Sequence, residues 1–125
     1  MIDRVLYVDD DDALTDLAEL LLDAAGVQML ACHDGNDAVR AAPEFQPQLI
    51  LLDKEMPGLD GPQTLAALRA LPVCADVPAI FLTADTAPDS VAELRALGAA
   101  AVISKPIDPG QFVSQLLEAW QNHQT

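Results

Sequence analysis

A chain of 125 residues, 51% hydrophobic but only 4% aromatic, has room for one core built from Leu, Val, Ile and Ala, and not for two. Its 20 acidic against 6 basic residues give a formal net charge of -14, a field that repels phosphate backbones and anionic lipid; direct binding to nucleic acid or a membrane is not expected. Cys32 and Cys74 share no metal-ligand spacing and have no His pair nearby, so they read as reduced and incidental.

Met1 leads straight into a strand pattern, with no basic, apolar and cleavable leader, and no apolar run approaches spanning length; a cytoplasmic protein is expected. Arg4-Val-Leu-Tyr-Val8 is the first strand pattern, and positions 9–12 are all Asp. Leu14, Leu17, Ala18, Leu21, Leu22 and Ala25 then recur at helical spacing, with Asp12, Asp16, Glu19 and Asp23 opposite them. Gly26 is placed to end that helix in the left-handed conformation. A second, weaker strand covers 27–32, and Asp34 can cap a short helix reaching about Ala42. Pro43 would remove a helical hydrogen bond, so the helix is expected to stop early or kink there.

Leu49-Ile-Leu-Leu52 is too short for a helix and apolar throughout, as a strand buried on both faces requires. Asp53 closes it, and Pro57-Gly58 signals a turn. The spacing predicts a helix over 62–71, with Leu65, Leu68 and Leu71 inward, then a strand over 78–82 ending at Thr83. A further helix over 88–97 has Val91, Leu94 and Leu97 inward and Gly98 as its stop, and a small-residued strand covers 100–104. Asp108 followed by Pro109 reads as a cap and first-turn proline. Phe112, Val113, Leu116, Leu117 and Trp120 make the stripe of the last helix, leaving 121–125 as a polar end outside the fold. Five strands alternating with five helices predict an α/β domain, a doubly wound parallel sheet with right-handed crossovers, occupying 1–125 as a unit.

In such a sheet the carboxyl ends of the strands share one edge, where ligands sit. That edge collects Asp9, Asp10, Asp53, Thr83 and Lys105. Each has an ordinary explanation taken singly: a solvated helix start, a cap, a surface lysine. Five arriving together by accident is much harder to credit. Three carboxylates in one cleft raise a pKa unless something positive lies among them. A hard divalent cation is the natural remedy, and Mg²⁺ tolerates few carboxylates and several waters. A divalent ion, an ammonium, a hydroxyl and a carboxylate nucleophile are what phosphoryl transfer onto Asp53 needs.

Val8-Asp9-Asp10, Leu52-Asp53-Lys-Glu-Met-Pro57, Leu82-Thr83-Ala84, Gly98-Ala99 and Lys105-Pro106 form an ordered set over essentially the whole chain. With that set the sequence resembles the receiver (CheY-like) domain of two-component response regulators. The resemblance implies a five-stranded flavodoxin-like sheet of order 2-1-3-4-5. It implies Asp53 as phosphoacceptor, and Mg²⁺ on Asp10, Asp53 and the Glu55 main-chain carbonyl, with Asp9 acting through water. Lys105 would hold the phosphoryl oxygens, Thr83 would swing toward them, and the Lys105-Pro106 peptide would be cis. A histidine kinase or phosphotransfer protein would be the donor, and a downstream protein would read the face of the fourth helix, fifth strand and fifth helix. Enzymatic activity would be limited to the domain's own phosphorylation and dephosphorylation.

Val102 stands where the family commonly has Tyr or Phe, so signalling is expected to rest on 84–87 and the fourth helix rather than on a moving ring. Glu55 and Asp85 fall where the family's hydrolytic water passes, or else simply face solvent. Three other readings compete: a receiver belonging to a larger regulator or hybrid kinase, a phosphorylation-independent interaction module, and a phosphohydrolase with an aspartate nucleophile. Glu55 is an imperfect version of the second acid that a phosphohydrolase would want.

Overall fold

The computed structural model describes residues 2–124; Met1 and Thr125, on which the expected start and the end of the polar tail fall, lie outside the described residues. The elements are β1 (Arg4–Val8), α1 (Asp12–Ala24), β2 (Gln28–Cys32), α2 (Gly35–Phe45), β3 (Leu49–Asp53), α3 (Gly61–Arg69), β4 (Ala79–Thr83), α4 (Pro88–Ala96), β5 (Ala101–Ser104) and α5 (Phe112–Gln124). All five strands pair in parallel in the order β2-β1-β3-β4-β5. β3 and β4, Leu-Ile-Leu-Leu-Asp and Ala-Ile-Phe-Leu-Thr, are buried at every position, as central strands covered on both faces must be.

Alternation along the strands divides the core in two. Val5, Tyr7, Leu49, Leu51, Ile80 and Leu82 face α1 and α5, packing with Leu22, Phe112 and Leu116. Leu6, Val8, Ile50, Leu52 and Phe81 face α2, α3 and α4, packing with Ala38, Leu68 and Leu94. Burying each of the large aliphatic side chains contributes roughly 1.5–3 kcal/mol. The register then levels the strand ends: Val8 lies beside Leu52, Asp53 beside Leu82 and Thr83 beside Ser104.

Several helix ends depart from expectation for local reasons. α2 does not stop at Ala42 but runs through Pro43 to Phe45, because a proline in the last turn removes a single donor. Gln46, at φ 53°, closes it with its N–H donating to the Ala42 carbonyl at 2.8 Å. Gly26 closes α1 region as expected, at φ 79°. Asp108 does not cap a helix beginning at Pro109. Its Oδ1 accepts from Gly110 N–H at 3.0 Å and its carbonyl from Gln111 and Phe112 N–H, so a turn precedes α5. At the far end, 121–124 form the last turn of α5 rather than a tail outside the fold. Leu97, expected inward, is 54% exposed because α4 ends at Ala96 and the chain turns through Gly98 to bury Ala99. Ala25 is exposed for the same reason at the end of α1.

Candidate functional site

The five edge residues arrive from four strand ends: Asp9 and Asp10 after β1, Asp53 at the end of β3, Thr83 at the end of β4 and Lys105 after β5. Carboxylate oxygens of Asp9, Asp10 and Asp53 all lie within 4.8 Å of one another. Asp9 is fully buried, Asp53 nearly so, and Asp10 is exposed. Lys105 Nζ bridges two of them, 3.2 Å from Asp9 Oδ2 and 3.0 Å from Asp53 Oδ1. The Lys105-Pro106 peptide is cis. A cleft of about 180 Å³ opens here, lined by Asp53, Glu55, Thr83, Ala84 and Lys105.

Burial pushes the Asp53 carboxyl above its ordinary range; the hydrogen bond from Lys105 opposes this, and the Asp9 charge adds to it. Burial pulls the Lys105 ammonium down, but the hydrogen bond to Asp53 and the charges of Asp9 and Asp53 outweigh that and hold it above its usual value. The net picture is a cleft with more negative charge than the ammonium balances. Three convergent carboxylates are hard oxygen donors, and their chemistry fits a hard divalent cation.

Asp9 is more tightly bound than the sequence suggests. Its Oδ1 accepts from Asp11 N–H at 3.0 Å and its Oδ2 from the Tyr7 hydroxyl at 2.7 Å. Tyr7 is buried in β1, and its own ionisation is pushed far up, first by burial and then by the Asp9 charge, so it stays a donor. Sequence reasoning passed over Tyr7 as one more core residue. The available signal was a hydroxyl in a strand otherwise apolar, which must find a partner. Tyr7→Phe should destabilise the fold by about 1–3 kcal/mol, because a buried carboxylate loses a donor while little volume changes. A denaturant titration reads this as a lower midpoint at unchanged slope.

Gly61 also escaped the sequence. A Cβ there would sit 2.5 Å from the Asp53 carbonyl oxygen and 2.9 Å from the Phe81 ring, and Gly61 N–H donates to the Lys54 carbonyl at 2.9 Å. The start of α3 is thus pressed against the backbone that carries Asp53, which only glycine permits. Asp60 and Gln63 fix that helix start through a reciprocal capping box.

Thr83 is buried, and its Oγ1 accepts from Asp85 N–H at 3.0 Å. Asp85 in turn accepts from Ala87 N–H at 3.1 Å and from the Ser90 hydroxyl at 2.7 Å, and lies 3.8 Å from Lys54 Nζ. Ser90 and then Ala87 hold its carboxyl below the usual range. Asp85 therefore ties the loop after β4 to the first turns of α4. Glu55 is exposed; its N–H donates to Asp53 Oδ1 across a long 3.4 Å.

The family model for the response regulator receiver domain matches residues 5–117. The chain belongs to that family. Among curated proteins, this receiver domain is 35% identical over 115 residues to the DNA-binding response regulator MtrA of Mycolicibacterium smegmatis, covering 90% of this chain and 48% of that one. The Mycobacterium tuberculosis H37Rv protein of the same name is 36% identical at the same coverage. The chain thus spans about half the length of the curated relatives it matches. Among solved structures, chemotaxis protein CheY4 of Vibrio cholerae superposes with TM-score 0.89 at 27% identity, covering 95% of this chain and 99% of that chain. The signal receiver domain of a histidine kinase from Syntrophus aciditrophicus gives TM-score 0.82 at 27% identity, covering 96% and 91%. The sheet order and five helices of this receiver domain are those expected of a CheY-like fold. Among the described residues no helix is long and apolar enough to cross a membrane.

Proposed function

We propose that this receiver domain, taken as 1–125, is a phosphoaspartate switch. It accepts a phosphoryl group from a histidine kinase or phosphotransfer protein onto Asp53, and the product changes which protein the domain binds. The observation that carries the reading is the meeting of Asp9, Asp10 and Asp53 within 4.8 Å, with the Lys105 ammonium between two of them.

Asp10, Asp53 and the Glu55 main-chain carbonyl are assigned to Mg²⁺, with Asp9 acting through water. Both oxygens of Asp9 already accept from protein donors, which suits an indirect role. Bound there, the ion supplies positive charge against the carboxylates and the oxygens of the incoming phosphoryl group. The contacts from Lys105 and Glu55 both fall on Asp53 Oδ1, which leaves Oδ2 as the less encumbered oxygen to attack phosphorus. As its bond to phosphorus forms, the bond from phosphorus to the donor's histidine nitrogen breaks, and that nitrogen keeps the electron pair.

The product carries roughly −1.5 to −2 charges and three strong acceptor oxygens. Lys105 is placed to meet them, and the Thr83 hydroxyl turns toward them by giving up Asp85 N–H. Because Asp85 also holds Ala87 and Ser90, that move loosens 84–87 and the start of α4 together. Val102, half-buried against the α4 side of the sheet, has no ring to reorient, so the readout on the α4, β5 and α5 face rests on the loop. Incubation with a small acyl phosphate and Mg²⁺, followed by intact mass, tests the reading; a single phosphoryl adduct is expected.

Asp85 is committed to α4, so Asp85→Ala should leave the hydrolysis rate of the acyl phosphate unchanged while weakening phosphorylation-dependent partner binding. A dephosphorylation time course checks the first half, and a changed rate would put Asp85 back on the path of the hydrolytic water.

A further inference from the structure

Two grooves flank one strand, and neither belongs to the Asp53 site. On the α1 side of β2 a groove of about 600 Å³ is lined by Asp16, Glu19, Leu20, Asp23 and Met29, among others. On the α2 side a groove of about 480 Å³ is lined by Arg4, Leu30, Ala41, Glu44 and Phe45, with Gln28 shared between the two. β2 is an edge of the sheet, laddered to β1 on one side alone. Gln28 N–H donates to the Asp3 carbonyl and the Cys32 carbonyl accepts from Asp9 N–H, so both residues turn their main chain toward β1. By alternation, the N–H and C=O groups of Met29 and Ala31 face outward.

Natural sheets blunt such an edge with Lys, Pro, a bulge or an inward charge. This one reads Gln28-Met-Leu-Ala-Cys32, with no charge and no proline, and Met29, Leu30 and Ala31 are only partly buried. Leu20, beside it on α1, is 67% exposed. Self-pairing across this edge is opposed by the -14 charge that each copy would bring.

We propose that the β2 edge is a docking site for an extended segment of another protein that adds as a sixth strand, with Lys or Arg alternating with aliphatic residues. Side chains of an added strand alternate between the faces. One set falls among Asp16, Glu19 and Asp23, where cationic heads meet carboxylates and their stems lie along Leu20. The other set falls on Leu30, Ala41 and Phe45, which suits apolar residues. The site does not depend on phosphorylation, so the test uses the unphosphorylated domain.

The probe is the blocked peptide Lys-Val-Lys-Val-Lys-Val-Lys, compared with versions N-methylated either at every Val or at every Lys. Inward N–H groups of an added strand belong to one alternate set. The expected result is that one methylated peptide loses binding while the other, of equal charge, keeps it. Amide exchange at Met29 and Ala31 should slow on binding. Asp16→Asn, Glu19→Gln and Asp23→Asn together should weaken the peptide about tenfold. Neutralising three remote exposed acids, Asp76→Asn, Asp89→Asn and Glu93→Gln, should leave it unchanged. Failure of the unmodified peptide to bind, equal binding by all three peptides, or equal loss in both neutralised variants would overturn the proposal, the last two by reducing it to attraction between a polycation and an acidic protein.

Discussion

Asp53→Asn should acquire no phosphoryl group from a small acyl phosphate and Mg²⁺ under conditions that load the wild-type domain, with intact mass falling from one adduct to background. An amide oxygen of the same size in the same place keeps the packing and removes the nucleophile. The companion effect on stability has a definite sign. Burial, and then the Asp9 charge, raise the Asp53 carboxyl, with the Lys105 hydrogen bond acting the other way. A group raised on folding contributes stability that is fully present below its unfolded pKa and is lost as pH rises through the folded one. At neutral pH ionised Asp53 therefore weighs against the ion-free fold, and Asp53→Asn should melt at or above wild type without Mg²⁺. Adding Mg²⁺ should then raise the wild-type Tm and leave the variant behind, since a ligand stabilises only the state that binds it. An adduct persisting on Asp53→Asn would move the nucleophile to Asp9 or Asp10.

The same carboxylates show why some of this molecule was legible and some was not. Leu49 to Leu52 and Ala79 to Leu82 announce buried central strands because no other short element tolerates apolar residues on both faces. Once those strands are parallel, the residue closing each one must reach the same edge, and Asp53 and Thr83 follow from topology alone. Tyr7 did not follow, since its meaning lies in a hydroxyl reaching a side chain two residues on, inside a run that hydrophobic pattern reads as uniform. Gly61 was hidden for a different reason: what makes glycine necessary is the approach of Asp53 and Phe81, a tertiary fact with no local signature. Pro43 and Asp108 misled by a residue or a turn because helix ends are decided by single hydrogen bonds, such as Gln46 N–H to Ala42 and Gly110 N–H to Asp108. The outward face of β2 was read as a weak strand, and its weakness is its exposure at the edge.

Lys105→Ala should lower the stability of the ion-free domain by about 2 kcal/mol, a Tm drop of about 6–10 °C for a domain of this size. Removing one partner of a fully buried pair costs more than that, but the Lys105 side chain is 21% exposed and part of its attraction is screened. Asp9 keeps Tyr7 and Asp11 N–H as donors, whereas Asp53 Oδ1 is left with Glu55 N–H at 3.4 Å. The deficit should therefore be carried by Asp53 and should depend on pH. Without the ammonium the Asp53 carboxyl rises further, so the variant differs least from wild type at acidic pH, where that carboxyl is protonated, and most at neutral pH. Melting curves across that interval measure it, and a pH-independent deficit would mean that Lys105 contributes packing alone. Two further arms separate charge from shape. Lys105→Arg should recover most of the loss. In the Lys105→Ala background, Asp53→Asn should be more stabilising than it is alone, because the two side chains meet at 3.0 Å and their effects cannot add. The sign of that coupling is the sharpest reading of the site: burial and the Asp9 charge make an ionised Asp53 costly to the fold, and Lys105 stabilises the fold by offsetting part of that cost.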